Sequence, residues 1–218
     1  MIQKHTLGFL RKLKNNNSRD WFHANKDLYN AAKENINDFT IQLIDELKKQ
    51  NKNLSGLVPK DCVFRIFRDV RFSKNKDPYK TNFGVVISEG GRKSPLAAFY
   101  IQIEPKSSFI AGGCWMPDGA TLKKIRQEID YNYKDFKKII NSKKFKEMFG
   151  ELADNRLKTT PKGYDKTNPA IDHLRLTSFV VTANLSDNVI ADKDLIKECA
   201  NTYKAMSPLL EFLNVAIR

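Results

Sequence analysis

Residues 63–87, VFRIFRDVRFSKNKDPYKTNFGVVI, constrain this chain more than any other stretch, because apolar residues and cations interleave there and the apolar pattern resumes beyond a polar turn. Read as an extended strand with a period of two, Val63, Arg65, Phe67, Asp69 and Arg71 share one face, and Phe64, Ile66, Arg68, Val70 and Phe72 share the other. Both faces are largely apolar. Guanidinium groups set among aromatics lose water, and a desolvated charge needs an opposite charge or hydrogen bonds. Asp69 is the local partner for Arg68 or Arg71, but one acid cannot serve three arginines. Either acids from distant segments complete the pairing, or the arginines await an anionic ligand, which their planar fork suits.

The segment between the two apolar runs reads as the loop of a hairpin. Asn75 and Asp77-Pro78 are turn formers, and Pro78 biases Asp77 away from helix. The loop carries Lys74, Lys76 and Lys80 with Ser73, Tyr79 and Thr81, a set able to wrap a phosphate or carboxylate.

Around this hairpin the pattern alternates between helix and strand in blocks. Leu7, Leu10 and Leu13 predict a short helix over 5–14, and Ser18 caps a long helix expected from 19 to about 50, with Trp21 as a packing anchor. Residues 51–61 are a polar connection. Strands are expected over 83–87, 97–104 and 109–115, with Tyr100 and Gln102 facing away from Phe99, Ile101 and Ile103, and with Gly112-Gly113 marking a bulge or close backbone approach. A helix opens after Pro117-Asp118, and one or two amphipathic helices occupy 134–149 with lysines outward. A loop over 152–164, a short helix near Asn168-Pro169, a strand over 176–185 and a helix over 192–213, kinked or divided at Pro208, complete the chain. Contiguous middle strands between blocks of helix indicate α+β: an antiparallel β-sheet of consecutive hairpins, packed by N-terminal, middle and C-terminal helices in one domain over 1–218.

Several motifs in order resemble a family of uncharacterised proteins, catalogued as domain of unknown function 2461. These are Arg65 to Lys74, Pro78 to Phe83, Asn16-Asn17 before Trp21-Phe22, Tyr100 to Pro105, Gly112-Gly113, Arg126 with Ile129, and Leu157-Lys158 leading to Pro161 to Tyr164. The resemblance covers nearly the whole chain and brings no settled activity with it. It does place Lys158, Lys162 and Tyr164 beside the hairpin residues as shared features. Asn75, Asn82 and Asn168 stand where that family commonly has Asp, His and His, so the resemblance supplies no base or metal ligand at those positions.

Charge and motif together bound the function. The net charge of +13 suggests an anionic partner, yet lysine and asparagine are abundant along the whole chain, as codon bias alone can produce. Three of the ten arginines at positions 65, 68 and 71 carry more weight. Cys62, Cys114 and Cys199 are widely spaced and read as buried thiols, with neither a disulfide framework nor a metal site. No G-x-S-x-G, H-E-x-x-H or Gly-rich phosphate loop is present, so neither catalytic residues nor a cofactor are assigned. With no long apolar run and no signal-peptide pattern, a cytoplasmic protein without a membrane partner is expected.

The leading expectation is an Arg/Lys-rich pocket for a phosphate- or carboxylate-bearing small molecule, lined by Arg65, Arg68, Asp69, Arg71, Lys74, Lys76, Tyr79, Lys80, Lys158, Lys162 and Tyr164. The second is a nucleic-acid module in which Tyr79 or Phe83 stacks on a base. The third is a structural arginine network neutralised by acids such as Glu104 and Asp172.

Overall fold

Ten α-helices and a four-stranded antiparallel sheet form the computed structural model, which describes residues 1–218. Helix α1 (Lys4–Asn15) buries Leu7, Leu10 and Leu13 together with Phe9, as the three-residue spacing predicts. Ser18 caps α2 (Arg19–Ala24) by accepting the Trp21 N–H at 3.2 Å. The single long helix expected from residue 19 is broken at Asn25. There the backbone leaves the helical region at φ −117°, ψ 28°, and the side-chain amide donates to the Trp21 carbonyl at 2.9 Å. This is the competition with helical hydrogen bonding that asparagine offers.

The chain resumes as α3 (Lys26–Leu47), which buries Ala32, Ile36, Phe39, Leu43 and Leu47 on one stripe. Each large apolar side chain buried there stabilises by about 1.5–3 kcal/mol before entropy is counted. Asn35 and Thr40 are the buried polar residues on α3, and Asn35 Oδ1 accepts from the Gln3 N–H at 2.9 Å and the Thr6 hydroxyl at 2.8 Å. A 3-10 turn (Lys52–Leu54) and α4 (Pro59–Cys62) lead to the arginine-rich segment.

The sheet runs in the order β1 (Phe83–Ile87), β2 (Ala98–Ile103), β3 (Ser108–Cys114), β4 (Phe179–Leu185). Phe99, Ile101 and Ile103 of β2 are buried and Ala98, Tyr100 and Gln102 only partly so, which is the predicted alternation. The expected strand over 63–72 does not form a continuous ladder. It pairs with 78–85 through two bridges, Val63 with Val85 and Phe67 with Tyr79, supported by Phe64 N–H to Gly84 O, Lys80 N–H to Ile66 O and Arg68 N–H to Pro78 O. Pro78 has no N–H to return, so the ladder stops there.

Gly113, at φ 130°, lies so close to the Phe179 carbonyl that a Cβ would overlap it, so the sequence reading of a close backbone approach holds. Between β3 and β4 come α5 (Gly119–Tyr131), capped by Asp118 on Thr121, then α6 (Tyr133–Ile140), α7 (Lys143–Phe149) and α8 (Ile171–Leu174). After β4, α9 (Asp187–Ala191) precedes α10 (Leu195–Ile217). Helix α10 runs continuously through Pro208, and the Ser207 hydroxyl donates to the Tyr203 carbonyl at 2.8 Å.

The chain divides into two compact units. The first comprises Met1–Lys93, Tyr100–Ile110 and Asn184–Ala200, and its core is the packed face of α1 to α3 with Phe83, Ile101 and Ile103. The second comprises Ser94–Phe99, Ala111–Ala183 and Asn201–Arg218, with Phe99, Ile125, Ile129, Phe136, Phe179 and Met206 at its centre. No helix is long and apolar enough to cross a membrane.

Candidate functional site

In the first unit the second arm of the irregular hairpin is held by a side chain from far away in sequence. Asn17 donates from Nδ2 to the Tyr79 carbonyl at 3.0 Å and accepts the Tyr79 N–H on Oδ1 at 3.1 Å, imitating a neighbouring strand. The Tyr79 ring is buried and stacks on Phe22 with centroids 4.0 Å apart and planes 11° from parallel. Phe83 is buried as well. Neither ring is offered to solvent as a base-stacking platform; the exposed aromatics of the segment are Phe72, at 97%, and more modestly Phe67 and Phe64.

Fixing Tyr79 also fixes Lys80 beside it. The Lys80 ammonium lies over the Phe64 ring, 5.4 Å from its centroid, with Arg65 and Arg68 near enough to repel it. Its pKa is lowered, first by partial burial and then by those two guanidinium charges. Arg65 and Arg68 have no carboxylate within ion-pair distance. Arg68 reaches only the Ser73 hydroxyl, at 3.5 Å, the outer limit of a hydrogen bond.

The local acid serves Arg71 instead. Asp69 accepts from Arg71 Nε at 3.0 Å and Nη2 at 2.6 Å, an exposed bidentate pair that holds the Asp69 carboxyl below its ordinary range. In the loop beyond, Asn75 accepts the Asp77 N–H at 2.8 Å as an Asx turn, and Lys76 donates to the Val70 carbonyl at 3.1 Å. Lys74 is exposed.

A polar chain on β2 completes the surroundings. The Tyr100 hydroxyl bonds to Gln102 Oε1 at 3.2 Å, Gln102 Nε2 donates to Glu104 at 2.8 Å, and the Thr81 hydroxyl donates to the other Glu104 oxygen at 3.2 Å. Tyr100 also packs against Phe64, with ring centroids 6.2 Å apart. The contacts therefore close a circuit from Lys80 through Phe64, Tyr100, Gln102 and Glu104 to Thr81, the residue after Lys80. Burial, and secondarily the Glu104 charge, push the Tyr100 phenol up to about 12, so it stays a neutral donor near neutral pH. Beside Tyr100, a Cβ at Gly84 would stand 2.7 Å from its hydroxyl, so only glycine leaves the ring its place.

Glu104 thus spends its hydrogen bonds on Thr81 and Gln102, and Asp172 acts on Tyr133 and His173 of the second unit. The neutralisation of the arginines by these two acids, one of the sequence expectations, has no ion pair in the structure. Lys158, Lys162 and Tyr164 belong to the second unit, the two lysines exposed and Tyr164 half-buried. No three His, Cys, Asp or Glu side chains gather in a group that could hold a metal ion.

Sequence reasoning missed the role of Asn17 and the Glu104 chain. The signal available was the alternation of Tyr100, Gln102 and Glu104 opposite the aliphatic face of β2. The residues that build this arrangement lie within the span, residues 5–212, that matches the model of a family described as conserved hypothetical protein (DUF2461). The chain belongs to this family. The DUF2461 match takes in both Asn17 and the arginine-rich hairpin, as well as β2 and the loop of the second unit that carries Tyr164. No curated protein and no solved structure matches the chain.

Proposed function

We propose that this DUF2461 protein binds a phosphate- or carboxylate-bearing small molecule through Arg65, Arg68 and Lys80. The observation that carries the reading is the convergence of three cations, two of which lower the pKa of the third, Lys80, with no carboxylate in ion-pair contact with any of them. Holding like charges together raises the energy of the free protein, and an oxyanion relieves that repulsion while accepting several charge-assisted hydrogen bonds. Thr81, Gln102 and Tyr100 supply neutral polar groups beside the cations, and Lys74 and Lys76 add positive potential at the loop. Lys80, with its proton affinity reduced, is also the group best placed to exchange a proton with a bound ligand.

The exposure of Phe72 beside Arg71 and near Lys74 and Lys76 favours a second reading, single-stranded nucleic acid stacked on Phe72 with its phosphates on the cations. A thermal-shift panel of nucleotides, sugar phosphates, carboxylic acids and short oligonucleotides at low and high salt separates the two. Stabilisation by a small anion that persists in salt and disappears in Arg68→Ala supports the first reading. Stabilisation by oligonucleotides alone, abolished by salt, moves the second ahead. No shift with any member of the panel sinks both.

A further inference from the structure

One buried side-chain nitrogen in the whole chain has no hydrogen-bond partner, Nε of Arg126, and it lies in the second unit, on α5. Its guanidinium is anchored at one point, Nη2 donating to the Leu176 carbonyl at 3.2 Å. Nη1 makes no hydrogen bond within the chain, and no carboxylate lies within ion-pair distance. A half-buried arginine without an acid has been stripped of part of its hydration and given little in return.

A loop brings a phenol to this guanidinium. Asn168 pins residues 161–170 onto α5, donating to Asp130 Oδ1 at 2.7 Å while its own Oδ1 accepts the Ala170 N–H at 2.7 Å. Asp130 lies one turn beyond Arg126 on the same helix face, and the Asn168 bond engages it with the loop. The turn from Pro161, with Gly163 at φ 92° and the Tyr164 N–H on the Pro161 carbonyl, then carries Tyr164 to where its hydroxyl feels the Arg126 charge. Partial burial and Asp130 keep that phenol protonated, so it is a donor.

We propose that Arg126 and Tyr164 form an oxyanion site of their own, within the second unit, in which Arg126 Nη1 and the Tyr164 hydroxyl donate to the carboxylate or phosphate of a small ligand. Exposed Lys158 and Lys162 on the same loop raise the local positive potential. The site shares no residue with the Arg65, Arg68 and Lys80 cluster, so either can fail without the other.

The test is a titration of the full chain with inorganic phosphate and, separately, with acetate, at ionic strength held constant with chloride, following the Arg126 Nε–Hε resonance by NMR. The expected result is a saturable shift of that resonance with at least one of the two anions, kept in Arg68→Ala. Binding followed by the Tyr164 backbone amide should weaken about tenfold in Arg126→Lys, which loses the fork, and several-fold in Tyr164→Phe. A response to phosphate alone assigns phosphate esters as the ligand class, and a response to acetate alone assigns carboxylates. The proposal is overturned if neither anion moves the wild-type resonance saturably, or if Tyr164→Phe binds as the wild type does. The wild-type and Tyr164→Phe arms decide the matter even where Arg126→Lys does not fold.

Discussion

Asn17 and Tyr79, 62 positions apart, exchange two hydrogen bonds between the asparagine side chain and the tyrosine backbone. An amide side chain thereby does the work of a paired strand at the point where Pro78 interrupts the ladder. With both backbone groups of Tyr79 engaged, its ring is set against Phe22 and the next residue, Lys80, is delivered to Arg65 and Arg68.

Asn17→Ala should therefore destabilise the protein by about 1–3 kcal/mol, since it leaves a part-buried donor and acceptor without partners. Urea unfolding of the two proteins measures this, and the loss should be accompanied by weakened anion binding at the hairpin. Asn17→Asp, which keeps the acceptor and loses the donor, should fall between them.

That arrangement also shows why the fold was more legible than the site. The antiparallel sheet and its flanking helices follow from local periodicity: Phe99, Ile101 and Ile103 at alternate positions, and Ile36, Phe39, Leu43 and Leu47 at helical ones, face their cores as their spacing requires. The DUF2461 resemblance was legible too, since its motifs are long and lie in order. The misreadings came from side chains competing with backbone. Asn25 divides the helix expected from residue 19, and Pro78 ends the pairing of the strand expected over 63–72. Tyr79, a ligand candidate by its setting among lysines, is a stacked core ring because Asn17 turns its backbone inward. Pairings across so many residues leave no periodic trace in one sequence. Asp69, by contrast, pairs with Arg71 two residues away, and that was readable.

Arg68→Ala separates a ligand-binding role from a structural one. Arg68 has no ion pair to lose, and its removal takes away one of the charges that disfavour protonated Lys80. Unfolding stability should change by less than about 0.5 kcal/mol, as for substitutions that disturb no buried network. The Lys80 pKa should rise toward its ordinary value, as read by NMR of the lysine ε-methylene. A loss of several kcal/mol would mean that the guanidinium holds the hairpin together.

The three cysteines should be silent in the native protein. Burial pushes the Cys62 and Cys114 thiols up to about 11 and Cys199 to about 12, with Asp61, Asp118 and Glu198 as the secondary causes in that order. The thiolate is the reactive species, so an aromatic disulfide reagent at about pH 8 should react with none of them until denaturant is added, and then with all three. Rapid labelling of a native cysteine would show that its segment opens.

Tyr100 should give the sheet a pH dependence of definite sign. Its phenol is raised from 10.0 to about 12 by burial and then by Glu104, so the folded state holds the proton more tightly than the unfolded chain does. The resulting contribution is complete below pH 10 and is lost as the pH climbs from there through about 12. Lys80 works in the opposite direction, because a lysine whose pKa is lowered in the fold makes stability rise with pH below its unfolded value. The comparison must therefore be between wild type and Tyr100→Phe, with Lys80 present in both. The variant should be less stable near neutral pH, having lost the hydroxyl bond to Gln102. Between about pH 9 and about pH 11 the wild type should lose of the order of 1 kcal/mol more than Tyr100→Phe. Urea unfolding at the two pH values checks it: parallel losses in the two proteins would mean that Tyr100 titrates alike in both states, and the polar circuit through Gln102, Glu104 and Thr81 would then be open to water.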